Sequence, residues 1–166
     1  MGHAGGLREH LGTAITQQVM GQLYPRIFST ERVGLRVVVT CVADELHELG
    51  ARMIADFFEM AGWDTYYLGA NTPLPSVLAA IVERRADLVA VSATMTHHLG
   101  AVAAVIRGIR ACPETAALPI LVGGYPFNVA PTLWQHVGAD GSESSPEASV
   151  KLGLRLVKAR DAHSIK

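Results

Sequence analysis

Short apolar runs rich in β-branched residues alternate along the chain with longer segments of helical period. The runs "LRVVVTCV" (35–42), "DTYYLG" (64–69), "DLVAVSAT" (87–94) and "PILVGG" (119–124) read as strands, and "GAD" (138–140) as a short fifth. Strands separated by helical stretches are the pattern of βαβ units around a parallel sheet. The intervening periodicity predicts helices over about 48–61, 74–84, 98–111, 128–136 and 146–159. Gly62 is placed as a left-handed cap, and Thr72-Pro73 and Ser145-Pro146 as an N-cap followed by a first-turn proline. Ahead of the sheet, Leu7, Leu11, Ala14, Ile15, Val19, Leu23 and Ile27 recur at steps of three and four. They predict one amphipathic helix that needs a surface to pack on. The expected organisation is an N-terminal helix in 1–32, one α/β domain in 33–160 and a tail in 161–166.

Composition narrows the function classes. With 166 residues and 49% apolar content, the chain is long enough for one domain with a proper core. A net charge of −1 with no basic cluster gives no electrostatic footprint for nucleic acid or an anionic membrane. Cys41 and Cys112 stand far apart and form no C-x-x-C pair, so neither a disulfide framework nor a thiolate zinc site is implied. A reducing cytoplasm fits that usage. No apolar run approaches the length of a membrane span, and "MGHAGGLREH" has neither a signal-peptide core nor a cleavage site. A soluble, unexported protein is expected.

In an open α/β sheet ligands bind beyond the carboxyl ends of the strands. The residues that follow the predicted strands are Glu45, His47 and Gly50, then Ser92, Thr94 and Thr96, then Gly123 and Gly124. A phosphorylated receiver would need an Asp ending the third strand and a Lys after a later one, where Ser92 and Gly123 stand. There is no G-x-G-x-x-G after the first strand, no Walker lysine loop and no G-x-S-x-G elbow, so nucleotide cradles and acyl transfer lose support. What remains is one imidazole beside a carboxylate on a loop among small residues. That set suits a metal that brings most of its own ligands, and a macrocycle is the natural candidate.

Here the spacing becomes specific. E-x-H-x-x-G (Glu45, His47, Gly50), S-x-T (Ser92, Thr94) and GG (Gly123, Gly124) together resemble the cobalamin-binding domain family, from the first strand to the last helix. The resemblance implies a flavodoxin-like α/β fold with a five-stranded parallel sheet and flanking helices. It also implies that cobalamin binds with its dimethylbenzimidazole tail drawn off cobalt and threaded into the protein. His47 is then the lower axial cobalt ligand, and Glu45 accepts the other ring N–H. Gly50, Gly123 and Gly124 leave room for the tail, and the hydroxyls of Ser92, Thr94 and Thr96 line its slot. Thr94 stands where leucine is common in the family. His97 and His98 begin a helix nearby, where solvation and a proton relay with Glu45 and His47 are both open to His98.

Two features point within the family toward the light-sensing, adenosylcobalamin-dependent regulators. Methyl-carrying and mutase relatives generally have Asp where Glu45 stands. The regulators also carry Trp, nine residues, then Glu-His on the helix before the sheet, and Glu9-His10 occupies the equivalent place, with the Trp position falling before Met1. The resemblance implies that His10 is the upper cobalt ligand once light has removed the adenosyl group. The expected function is therefore a sensory or regulatory module that binds adenosylcobalamin in preference to methylcobalamin and is not itself an enzyme. The alternative is a corrinoid carrier for a methyltransferase system. The output domain or partner protein is left open, as is homo-oligomer formation.

Overall fold

The computed structural model describes residues 30–164 and, ahead of them, helical positions 12, 15, 16, 18, 19, 21 and 22. The rest of the expected N-terminal helix, including Leu7, Glu9, His10 and Leu11, lies outside the described residues. Where it is described, Ile15 and Val19 are each about half exposed.

Four strands form one parallel sheet: β1 (Arg36–Cys41), β2 (Asp64–Tyr67), β3 (Leu88–Ser92) and β4 (Ile120–Gly123). Their order is β2-β1-β3-β4. That is the start of the flavodoxin-like order, with its switch point between β1 and β3. The expected fifth strand at 138–140 does not form among the described residues. Asp140 instead caps the edge of β4, accepting from the Ile120 N–H at 2.7 Å and from Arg110 Nη2 at 2.6 Å. Only a single parallel bridge, Leu121 to Gly141, continues the sheet there.

The connections are α1 (Leu49–Met60), α2 (Leu74–Arg84), α3 (Leu99–Ala111), α4 (Tyr125–Val129), α5 (Leu133–Val137) and α6 (Pro146–Ser164). Both faces of the sheet are covered, which is why the strands read as nearly continuous apolar runs. Val38, Val89, Val91 and Val122 pack with Val77 and Ile81 of α2 and with Val102, Ile106 and Ile109 of α3. The alternate residues Val37, Val39, Leu88, Ala90 and Leu121 pack with Ala51, Ala55 and Phe58 of α1 and Val157 of α6.

Local sequence explains where helices stop. Gly62 has φ of 86°, as its position after α1 predicts. Its N–H donates to Glu59 O and that of Trp63 to Phe58 O, while the Phe58 and Trp63 rings meet edge to face at 5.1 Å. This is a Schellman stop with its hydrophobic contact. Ser145 caps α6 as expected, its Oγ accepting from the Ala148 N–H at 3.2 Å. Thr72 does not cap α2: its hydroxyl turns back to Gly69 O at 3.2 Å, and Pro73 occupies the cap position. The helix expected over 128–136 is two short ones, because Pro131 lacks an N–H and Ala130 before it adopts φ −123°, ψ 87°. The last helix runs past 159 to Ser164, into the expected tail.

Candidate cofactor site

The loop after β1 is shaped by two residues that tolerate left-handed backbone, Asp44 (φ 64°) and Asn71 (φ 49°). The Asp44 N–H donates to Asn71 Oδ1 at 2.8 Å, and the Asn71 N–H donates to Glu45 O at 3.0 Å. The loops after β1 and β2 thus clamp each other and turn the Glu45 side chain inward. Glu45 has no exposed surface. An ionised carboxylate there is costly unless its lone pairs are filled.

They are filled. Oε1 accepts from the His47 N–H at 2.9 Å and stands 2.7 Å from His47 Nδ1. Oε2 accepts from the N–H groups of Thr94 (2.7 Å) and Met95 (3.2 Å) and stands 2.9 Å from His98 Nδ1. Burial pushes the Glu45 pKa up, but the His47 N–H, the His98 ring, the Thr94 N–H and the His47 ring outweigh it and bring it down to about 2. Glu45 is therefore an anion at neutral pH and can only accept. Each facing Nδ1 must carry its proton, which leaves Nε2 of both rings as the basic nitrogen.

The two imidazoles differ in exposure. The His47 side chain is 52% exposed, whereas His98 is buried on a 3-10 turn, Thr96–His98, ahead of α3. His97 is exposed and packs edge-on against His98 with ring centroids 4.1 Å apart. Of the two readings open to His98, solvation and a proton relay with Glu45 and His47, the structure removes solvation: the ring is buried and its Nδ1 stands 2.9 Å from Glu45. Thr96, expected in the slot, is instead exposed on the 3-10 turn and does not line the cleft, because the chain turns away after Thr94.

A cleft of ≈190 Å³ opens at the carboxyl edge of the sheet, between α1 and the start of α6. His47 and Glu45 are not part of its lining; Thr94, which is, joins it to them through its N–H bond to Glu45. Gly50, Ser92, Thr94, Gly123 and Gly124, which the resemblance assigns to the tail and its slot, all line the cleft. The glycine pair divides by role. A side chain on Gly124 (φ 112°) would strike the Ala93 carbonyl oxygen just past β3, so that glycine is required by the fold. A side chain on Gly123 would meet nothing within 4 Å, so its absence keeps the cleft open. The sequence reading missed Ala51, Met53 and Ile54, Asn128, and the Glu143 to Ser145 segment with Ser149. The helical repeat from Gly50 would have flagged Ile54, and the loop ahead of Ser145-Pro146 lies where a fifth strand-to-helix loop belongs. Leu46, Met95, Tyr125 and Val129, each next in sequence to a residue of the Glu45 network or of the cleft, expose large apolar side chains.

The B12 binding domain family matches residues 35–151. The chain belongs to that family. Among its relatives, the HTH-type transcriptional repressor CarA of Myxococcus xanthus is 32% identical over 141 residues, covering 84% of this chain and 48% of the repressor. The dimethylamine corrinoid protein of Methanosarcina barkeri is 27% identical over 131 residues, covering 78% of this chain and 60% of that protein. This B12-binding domain thus spans about half to three fifths of these two relatives. The fold is shared with the monomethylamine corrinoid protein of Methanosarcina barkeri (TM-score 0.74, 16% identity, 87% of this chain and 68% of that one). It is also shared with a cobalamin-binding protein from Desulfitobacterium hafniense (TM-score 0.69, 24% identity, 87% and 67%). Among the described residues no helix is long and apolar enough to cross a membrane.

The site's chemistry fits a corrinoid. It offers one exposed imidazole whose Nδ1 is held by a buried anion, and a narrow cleft, joined to that anion through Thr94, that is kept open at Gly123.

Proposed function

We propose that this chain binds cobalamin with the benzimidazole tail off cobalt and His47 as lower axial ligand, and that it works as a sensory or regulatory module. The observation that carries the reading is the 2.7 Å contact of His47 Nδ1 with a fully buried carboxylate, which leaves Nε2 of this half-exposed ring as the donor atom. A histidine ligand fixed through its other nitrogen has its tautomer and orientation set in advance, and is a stronger donor. Glu45 does that fixing, and His98 with the Thr94 N–H holds Glu45 in turn. Ser92, Thr94, Gly50 and Gly123 receive the tail at the mouth of the cleft. When bound, the cofactor supplies a cobalt-carbon bond, and the protein tunes and reads its state.

The regulatory reading draws on the 32% identity to a transcriptional repressor and on Glu45 in place of Asp. It favours adenosylcobalamin and gives His10, with Glu9 beside it, the role of upper ligand after loss of the alkyl group. The 27% identity to a dimethylamine corrinoid protein favours a second reading, a methyl carrier that would prefer methylcobalamin. Residues 33–160 are assigned to the cofactor-binding unit in either case.

The test is to add cobalamin to the purified chain and separate the mixture by gel filtration. One equivalent should co-elute with the absorbance of a histidine-ligated, base-off corrinoid. His47→Ala should bind more weakly with a base-off, unligated spectrum. No protein-bound colour from the parent chain would remove the reading.

A further inference from the structure

The strand register orders the polarity of the cleft by depth. Across β1, β3 and β4, Val39 is opposite Ala90 and Ala90 opposite Leu121, so these three form one row on the face that lines the cleft. Two residues further along each strand, and so on the same face, lies the row Cys41, Ser92, Gly123. The strands run toward the mouth, so the Ser92 and Gly123 row is outer and the Val39, Ala90 and Leu121 row is deep. Val39, Ala90 and Leu121 are 1%, 7% and 4% exposed. The helical wall beside the deep row is Ala51 and Ile54. Ser149 of α6 also lines the cleft; its hydroxyl donates to Ser145 O at 2.9 Å and keeps its lone pairs, but it is not part of the deep strand row. Sugar and phosphate groups would thus find hydroxyls and backbone at the mouth, and a ring pushed past them meets hydrocarbon.

Resting on the base-off reading above, we infer that the cleft selects corrinoids by their lower base, taking a benzimidazole whose edge carries only methyl or hydrogen and discriminating against a purine base with an exocyclic amino group. A dimethylbenzimidazole edge buries its methyl groups against Val39, Ala90 and Leu121 at no polar cost. An adenine amino group in the same place leaves its donors unpaired beside those three side chains. An unpaired buried donor is worth roughly a ten-fold loss of affinity or more. At ≈190 Å³ the cleft is smaller than the ~300 Å³ and upward of whole-ligand pockets, so it suits part of a ligand with little space for a bridging water.

The experiment titrates the full chain with three corrinoids, cobalamin, its adenine-based analogue and cobinamide, which lacks the nucleotide. Affinity is read by calorimetry and ligation by absorbance. Cobalamin should bind about ten-fold or more tighter than the adenine analogue. Ala90→Ser, which puts a hydroxyl into the deep row, should narrow that gap. Equal or tighter binding of the adenine analogue by the parent chain, with the histidine-ligated spectrum retained, overturns the selection while leaving the proposed function standing. If none of the three binds, the proposed function falls, and this inference with it.

Discussion

Glu45 holds a full charge away from water, and the groups around it decide what its loss would do. Replacing it with Gln puts an amide NH2 among donors from His47, Thr94, Met95 and His98. That should destabilise the cofactor-free protein by about 2–4 kcal/mol in denaturant titration. His47→Ala removes a half-exposed side chain but keeps the backbone bond to Glu45, so it should cost about 1 kcal/mol or less while abolishing ligation. Similar losses of stability in the two variants would show that Glu45 is not the structural anchor. Cys41 lies next to this network with no exposed surface. Burial, and then the charges of Glu45 and Glu48, push its thiol pKa up to about 12. At pH 8 it should therefore resist a thiol reagent until the protein is unfolded, while the partly exposed Cys112 reacts. Rapid labelling of both cysteines in the native protein would contradict that burial.

At the level of elements, much of the site could be read in the sequence, because strand ends place residues by topology alone. Glu45, His47, Ser92, Thr94 and Gly123 end or follow buried parallel strands, and all five fall at one edge of the sheet as expected. Where local chemistry competes with periodicity the reading failed: Pro131 splits one predicted helix, and the Asp140 side chain takes the Ile120 N–H that a fifth strand would have paired. His98 could be placed near the slot, but the choice between solvation and an interaction with Glu45 could not be made, since the 3-10 turn that swings it inward has no periodic signature. The glycine pair makes a prediction at this scale. Gly124→Ala should destabilise the fold by more than about 1 kcal/mol through its left-handed backbone and the Ala93 carbonyl. Gly123→Val should fold with near-parent stability yet bind cobalamin poorly, its side chain standing in the cleft. Thermal unfolding and a cobalamin titration separate the two effects, and normal binding by Gly123→Val would show that the cleft does not take the tail.

For the whole molecule, one cofactor edge is compatible with two occupations, and the N-terminal segment divides them. A regulator should lose its adenosyl group under green or blue light and retain the corrin through His10. After illumination and denaturation, mass spectrometry should find corrin attached to the parent chain but not to His10→Ala. Identical behaviour of the two proteins would move weight to the methyl carrier, leaving the lower face of the site untouched. The central claim, that His47 replaces the cofactor's own base below cobalt, is tested most directly by electron paramagnetic resonance of the cob(II)alamin complex, prepared once with unlabelled protein and once with histidine labelled with 15N. The account predicts that the triplet splitting from one axial nitrogen becomes a doublet in the labelled protein, and that the doublet disappears in labelled His47→Ala. A triplet that persists in the labelled protein would mean that the axial nitrogen comes from the benzimidazole, and would contradict the account.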